Sequence, residues 1–148
     1  MRTRFRFDHS WVVDAGADAV LALLEDVPGY GAWWPSVRVI GGRAVPGDRE
    51  ARMVVRAPLG YRIRITIAEA SRGPGELRAA IAGDLEGWCA WRVRPAGDGT
   101  RVDFTQEVDV RAPLLRAASA LLHAPLARQH AAVMREAATG MQRRCERR

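Results

Sequence analysis

The sequence predicts an α+β fold in which a curved antiparallel sheet of about seven strands wraps around a long C-terminal helix, with two short helices after the first strand. Three observations predict it. Polar and apolar residues alternate at the start of the chain, short strand-like segments separated by brief turns fill the middle, and a helical period occupies the last part. Connections this short force neighbouring strands to pair antiparallel, because a parallel pair needs a crossover of a dozen or more residues.

The first strand is expected over residues 3–13, where alternation gives one half-buried face. A short helix follows over residues 17–25, with an apolar stripe and Asp14 as its predicted N-cap. Residues 26–37 then combine two prolines and two glycines with three large aromatic rings. Because prolines and glycines interrupt regular helix, this segment is expected to form a broken second helix or a turn.

Six further strands complete the predicted sheet. They cover residues 37–43, 50–56, 61–70, 76–82, 87–94 and 100–111, and the separators are rich in Gly, Pro and Asp. The last helix is predicted from residue 114 to about residue 142, and Pro125 should kink it or mark a break near its first third. This helix is the only predicted element large enough to cover the apolar face of the sheet.

Composition narrows the class of protein. The chain has 148 residues, of which 48% are hydrophobic, and this suits one domain over residues 1–148. No apolar run approaches the ~20 residues of a membrane-spanning helix, and the N-terminus lacks a signal-peptide apolar region, so a cytoplasmic location is expected. The two cysteines form neither a disulfide framework nor zinc-ligand spacing, and no phosphate-binding glycine motif occurs. We therefore expect no cofactor and no metal.

The net charge is +6, and all 23 basic residues are arginines. The arginines are spread along the chain, which favours a solvated surface over a nucleic-acid site. Residues 143–148 form the one basic cluster, which either extends into solvent or contacts an anionic surface. Hence no nucleic-acid partner is expected, contact with a membrane surface is the weaker alternative, and the chain is expected to be a monomer or a homodimer.

Several short motifs occur in a characteristic order. They are Asp26 followed by Tyr30 and Trp33-Trp34-Pro35, Gly83-Asp-Leu-Glu-Gly87 leading to Trp91, Gly99-Thr100 before Val102, and His130-Ala-Ala-Val-Met134. Together with the element order, they resemble the START-like superfamily, the helix-grip fold of polyketide cyclases, ligand-binding plant allergens and lipid carriers. The nearest subgroup is similar to the polyketide cyclase/dehydrase family. The resemblance covers residues 11–141 and implies a hydrophobic cavity between the sheet and the C-terminal helix.

This resemblance is compatible with two functions. The first is binding of a hydrophobic small molecule of polyketide, lipid or quinone type. The expected ligand-binding residues are Trp34, Met53, Val55, Ile65, Ile81, Trp91, Phe104, Leu122, Leu126 and Met134. The alternative is a polyketide cyclase or dehydratase that uses His130, Gln106 or Tyr61 for proton transfer, and that works largely by positioning because cyclisation is intramolecular.

Each catalytic candidate also has a structural interpretation. His130 can protonate or polarise a carbonyl, but a histidine held by a backbone partner is the favoured interpretation. Gln106 should face inward with Phe104 and Val108, where either a ligand oxygen or a buried water would satisfy its amide. His123 lies seven residues from His130, ~10 Å along a helix, which is too far to share one metal ion.

The resemblance also implies a cavity arginine that this chain lacks at the corresponding place. Aromatase/cyclases carry that arginine on the strand matching residues 61–70. Here the alternation turns Arg62 and Arg64 outward and leaves Ala68 or Glu69 in its position. This departure counts against cyclase activity.

The aromatic residues have predicted positions as well. The rings of Tyr30, Trp33 and Trp34 are expected to cover one end of the cavity, with at least one ring as a plug in the core and another at the mouth. Strand phase predicts that Trp91 faces inward and that Trp88 faces outward or lies under a loop.

Overall fold

The computed structural model describes residues 4–45, 48–121 and 123–146, and within these ranges it contains seven strands in one antiparallel sheet. The strands are β1 Arg4–Val13, β2 Val37–Val45, β3 Asp48–Arg56, β4 Arg62–Gly73, β5 Glu76–Gly83, β6 Leu85–Ala96 and β7 Gly99–Val110. The helices are α1 Ala17–Glu25, a 3-10 helix Val27–Ala32, α2 Pro113–Leu121 and α3 His123–Glu146. The predicted fold class is confirmed.

The strand order is β1-β7-β6-β5-β4-β3-β2, so every neighbour is sequential except that β1 joins β7. The β1–β7 pairing runs from Arg4 opposite Asp109 to Val13 opposite Thr100. Along β7 every second side chain is buried, and these buried positions form one continuous apolar face with those of the neighbouring strands. That alternation fixes which side chains can reach the space beneath the helices.

The sheet has two ends, which differ in what covers them. One end, here called the α2 end, contains the loop of residues 57–61 between β3 and β4, the turn at Asp84, and the start of α2. At the opposite end, the α1 end, β1 leads into α1 and a turn joins β4 to β5. Helix α3 runs from the first end to the second, because Gln129 binds the backbone of Leu59 and Gln142 binds the backbone of Asp14.

The C-terminal helical region is divided, as Pro125 predicted. Helix α2 ends at Leu121 and α3 begins at His123, which places Pro125 in the first turn of α3. Proline is tolerated there because the first amide groups of a helix need no intrahelical partner. Leu122, the side chain of His123 and the last two arginines of the C-terminal tail lie outside the described residues.

Helix α1 has the predicted bounds, but its predicted N-cap is wrong. Asp14 does not cap α1, since the N-cap position is Gly16 and no side chain caps the helix. The backbone N–H of Asp14 instead donates to Gln142 Oε1 at 2.9 Å. A contact with a helix more than a hundred residues later has no local signal, so the capping rule could not anticipate it.

Candidate functional site

A cavity of about 400 Å³ lies between the inner face of the sheet and α3. Its wall is largely aliphatic and aromatic. Nine of the ten predicted ligand-binding residues line it, namely Trp34, Met53, Val55, Ile65, Ile81, Trp91, Phe104, Leu126 and Met134. The tenth, Leu122, is outside the described residues. Six of these nine residues lie on β3 to β7, and strand alternation places them on the inner face because no register shift falls at their positions.

The wall also contains residues that the sequence reasoning did not select. Apolar ones include Ile63, Ile67, Leu77, Ala79 and Val133. For the two isoleucines the signal was present, because they share the alternating phase of Ile65 on β4. Val133 lies on α3, where a broad apolar face does not tell which residues border a cavity and which pack directly on the sheet.

Gln106 and His130, two of the three catalytic candidates, meet in the cavity wall. His130 Nε2 lies 3.0 Å from Gln106 Oε1, so in this amide orientation the imidazole carries its proton on Nε2 and donates it. The sequence favoured a backbone partner for His130, whereas the observed partner is the side chain of Gln106. The amide N–H groups of Gln106 have no hydrogen-bond partner among the described residues, so a ligand oxygen and a water both remain suitable for them.

The His130 ring is held between aromatic neighbours. It stacks on Phe7 with ring centroids 3.6 Å apart and an interplanar angle of 6°, and the ring of His9 lies 5.3 Å away. Although one part of the ring borders the cavity, protein atoms enclose it, and this burial lowers the pKa of His130 to about 3, with His9 adding a smaller effect. His130 is consequently a neutral imidazole at neutral pH, and its Nδ1 has no partner within the described part of the chain.

Tyr61, the third catalytic candidate, lines the cavity at the α2 end. Its backbone carbonyl accepts a hydrogen bond from the N–H of Ala57 at 3.0 Å, which closes the loop of residues 57–61. Partial burial raises the pKa of the Tyr61 phenol, so the hydroxyl keeps its proton near neutral pH.

The three rings of the segment after α1 form a buried cluster, here called the aromatic plug: Tyr30, Trp33 and Trp34 are only 5 to 8% exposed. Tyr30 Oη donates to Leu24 O at 2.5 Å and Trp34 Nε1 donates to Val133 O at 3.0 Å. The expectation of an exposed ring at the cavity mouth is thus wrong. Trp34 reaches the cavity only as part of the buried wall, because its indole is tied to the backbone of α3.

Charged residues border the same cavity at the α1 end. Arg72 Nε lies 2.7 Å from Glu69 Oε1, and an Arg72 terminal nitrogen lies 3.3 Å from Glu25 Oε2. The pairing of β4 with β5 shifts between Glu69 and Ser71, and after this bulge Arg72 stands opposite Leu77, another cavity residue. The strand therefore does bring an arginine to the cavity wall, which simple alternation could not predict.

The outward positions predicted for β4 and β6 are confirmed. Arg62 and Arg64 are exposed, and Glu69 occupies the cavity wall. Trp91 is buried, whereas Trp88 lies on the outer face with the guanidinium of Arg78 at 4.1 Å from its ring.

The sequence of the chain matches one family model over residues 4–146, described as polyketide cyclase/dehydrase and lipid transport. The chain belongs to this family. No curated protein sequence matches it.

Solved structures show the same fold for this family member. A protein of Thermus thermophilus is 20% identical, with a TM-score of 0.79, over 95% of this chain and 97% of the other. The Zhui aromatase/cyclase of a Streptomyces species is 17% identical, with a TM-score of 0.76, over 98% and 95%. A START superfamily protein of Mycobacterium smegmatis is 17% identical, with a TM-score of 0.74, over 96% and 97%. The START-like resemblance is confirmed, and at these identities the similarity concerns the fold alone.

Two further findings concern the described residues. No helix within residues 4–45, 48–121 and 123–146 has both the length and the apolar character needed to cross a membrane. In the same ranges no three His, Cys, Asp or Glu side chains are grouped so that they could hold a metal ion.

Proposed function

We propose that this family member binds a hydrophobic small molecule, of polyketide, lipid or quinone type, in the cavity between the sheet and α3. The observation that carries the proposal is the cavity itself. Its volume of about 400 Å³ falls within the roughly 300–1,000 Å³ of small-molecule sites, and its wall is mostly apolar. Protein interiors are otherwise close-packed, and an unfilled space of this size lowers stability, so a ligand is the simplest reason to keep it.

A few polar groups would orient such a ligand. The free N–H groups of Gln106 face no protein acceptor among the described residues, and His130 holds the amide oxygen. A carbonyl or hydroxyl oxygen of the ligand would be recognised there, while Phe104 and Trp91 on neighbouring strands contact its apolar part. This arrangement favours a ligand with an oxygen part-way along an apolar skeleton.

Filling the cavity provides the test. Ala79 lines the cavity and Ala80, the next residue on β5, is exposed on the outer face. Ala79→Phe should weaken binding of the neutral fluorescent probe N-phenylnaphthylamine by at least about tenfold, because the added ring occupies the space. Ala80→Phe adds the same ring outside and should bind like the unmodified protein. Equal affinities, or no uptake of the probe by the unmodified protein, would contradict the proposal; native mass spectrometry identifies any ligand that copurifies.

A second candidate function is polyketide cyclisation or dehydration. The observation that favours it is the Gln106–His130 pair in the cavity wall, with Tyr61 at the α2 end as a protonated group. A Gln106 N–H would polarise a ketone of the bound chain, His130 would fix the amide, and the enclosed wall would hold the chain in a reactive fold.

This activity has a test separate from binding. A poly-β-ketone thioester incubated with the protein should give a different distribution of cyclised products from the spontaneous reaction. Gln106→Leu should reduce kcat while the affinity for the neutral probe persists. A product distribution that the protein leaves unchanged would eliminate the cyclase function and leave the binding function standing.

A further inference from the structure

The outer face of the sheet has two halves with different charge arrangements. On the half formed by β1, β7 and β6, arginines are paired with acidic residues of the same strand or of a neighbouring one. The pairs include Arg4–Glu107 at 2.8 Å, Arg94–Asp103 at 2.9 Å, Arg101–Asp103 at 3.0 Å and Arg111–Glu86 at 2.9 Å. Opposite charges alternate across this half, as expected for a solvated sheet surface.

The half formed by β2, β3 and β4 carries five exposed arginines, here called the basic patch: Arg38, Arg52, Arg56, Arg62 and Arg64. In the described part of the chain, none of them has a carboxylate within ion-pairing distance. Asp84, at the edge of the patch, accepts from the backbone N–H of Arg64 and not from its guanidinium. The patch therefore presents uncompensated positive charge.

Two of these arginines stand directly opposite each other. Arg56 closes β3 and Arg62 opens β4, and they form a cross-strand pair. Like charges in such a pair destabilise a hairpin, so their position is unfavourable for folding alone. An anionic surface outside the protein would remove that repulsion.

Between Arg56 and Arg62 the loop presents an apolar tip. Leu59 is 74% exposed at this tip. The loop is held in place because Gly60 N–H donates to Ala57 O at 2.8 Å and Leu59 N–H donates to Gln129 Oε1 at 2.9 Å. Leu114, at the same end of the sheet, is 89% exposed. Exposed leucines beside unpaired arginines are suited to the boundary between lipid headgroups and acyl chains.

We propose that the basic patch and the tip of the loop of residues 57–61 dock on an anionic lipid bilayer, with Leu59 inserted below the headgroups. The arginines would contact lipid phosphates and carboxylates, and Ala57 and Tyr61 of the same loop line the cavity on its other side. The docked face thus adjoins the cavity. Nucleic acid fits this face less well, because Trp88, the tryptophan of the outer face, is on the other half and is covered by Arg78, which leaves no stacking ring in the patch.

Flotation with lipid vesicles tests the proposal and does not depend on ligand binding. The full chain should float with vesicles of phosphatidylcholine and phosphatidylserine, should not float with phosphatidylcholine alone, and should be released by salt. The double variant Arg56→Gln/Arg62→Gln should lower the partition coefficient about twenty-fivefold, at about fivefold per arginine near an anionic surface. Leu59→Asp should also reduce it, because a carboxylate replaces the inserted side chain.

The matched control removes the same charge from the paired half. Arg94→Gln/Arg101→Gln changes the net charge equally, and its partition should stay close to that of the unmodified chain. All these residues are exposed, and thermal unfolding will confirm that the variants fold. Equal losses in the two double variants, absence of binding to phosphatidylserine vesicles, or tighter binding of a duplex DNA at the same salt would overturn the proposal.

Discussion

The α1 end and the α2 end of the cavity are built differently, although the same sheet and the same helix α3 form both. At the α1 end Trp33 of the aromatic plug is buried against Gly140 of α3, and Arg72 joins Glu25 of α1 to Glu69 of β4. At the α2 end Leu59 is exposed between two arginines that have no acidic partner among the described residues. The difference indicates that one end is arranged for stability and the other for contact with something outside the protein.

The largest expected effect is at the α1 end, where α3 touches the aromatic plug most closely. A Cβ added at Gly140 would lie 1.7 Å from the backbone oxygen of Trp33, which no side chain can occupy without moving the segment. Gly140→Leu should lower the free energy of unfolding by at least about 4 kcal/mol, measured by urea denaturation.

Gly16→Ala is the control for this variant, because nothing lies within 4 Å of a Cβ at that position and its backbone is extended. It should change stability by less than about 1 kcal/mol. If Gly140→Leu were equally mild, the plug would not hold α3, and the two ends would not differ in the way described.

The second effect concerns His130, which lies on α3 between the two ends. Its pKa is about 3 in the folded protein against 6.5 ordinarily, so between these values the unfolded chain binds a proton that the folded chain excludes. The free energy of unfolding should therefore fall as the pH falls from about 6.5 to about 3, by about 4 kcal/mol.

His130→Phe keeps an aromatic ring against Phe7 and removes the titration. In urea unfolding at a series of pH values, this variant should show a shallower loss in acid than the unmodified protein. His9, whose pKa burial also lowers, would account for part of the remaining loss. Identical pH profiles would show that His130 is not the buried neutral base described above.

The smallest effect is expected for the ion pairs of the α1 end. The side chains of Arg72, Glu69 and Glu25 are 26 to 43% exposed, and exposed pairs contribute little in water. Arg72→Gln should cost about 0.5 kcal/mol of unfolding free energy, similar to Arg92→Gln, which breaks the outer-face pair with Glu76. A loss of several kcal/mol with Arg72→Gln alone would show that ionic closure, and not the aromatic plug, is what stabilises this end.

The sequence by itself determined the element order, the antiparallel pairing and most of the cavity wall. Short turns leave no other pairing, and strict alternation assigns Ile65, Trp91, Phe104 and Gln106 to the inner face. The break near Pro125 could likewise be predicted from the sequence, because proline restricts the backbone locally. These features depend on neighbours a few residues away, which is the range over which sequence patterns act.

Only the tertiary structure decided how distant segments meet. The hydrogen bond of Gln106 to His130, the burial of Trp34 under Val133 and the cavity position of Arg72 depend on the helix orientation and on a bulge that shifts the strand phase. The contrast between paired and unpaired arginines has the same origin. For cross-strand pairs such as Arg4–Glu107 and Arg94–Asp103, the carboxylate is brought by the neighbouring strand, and its position is fixed by the register of the folded sheet.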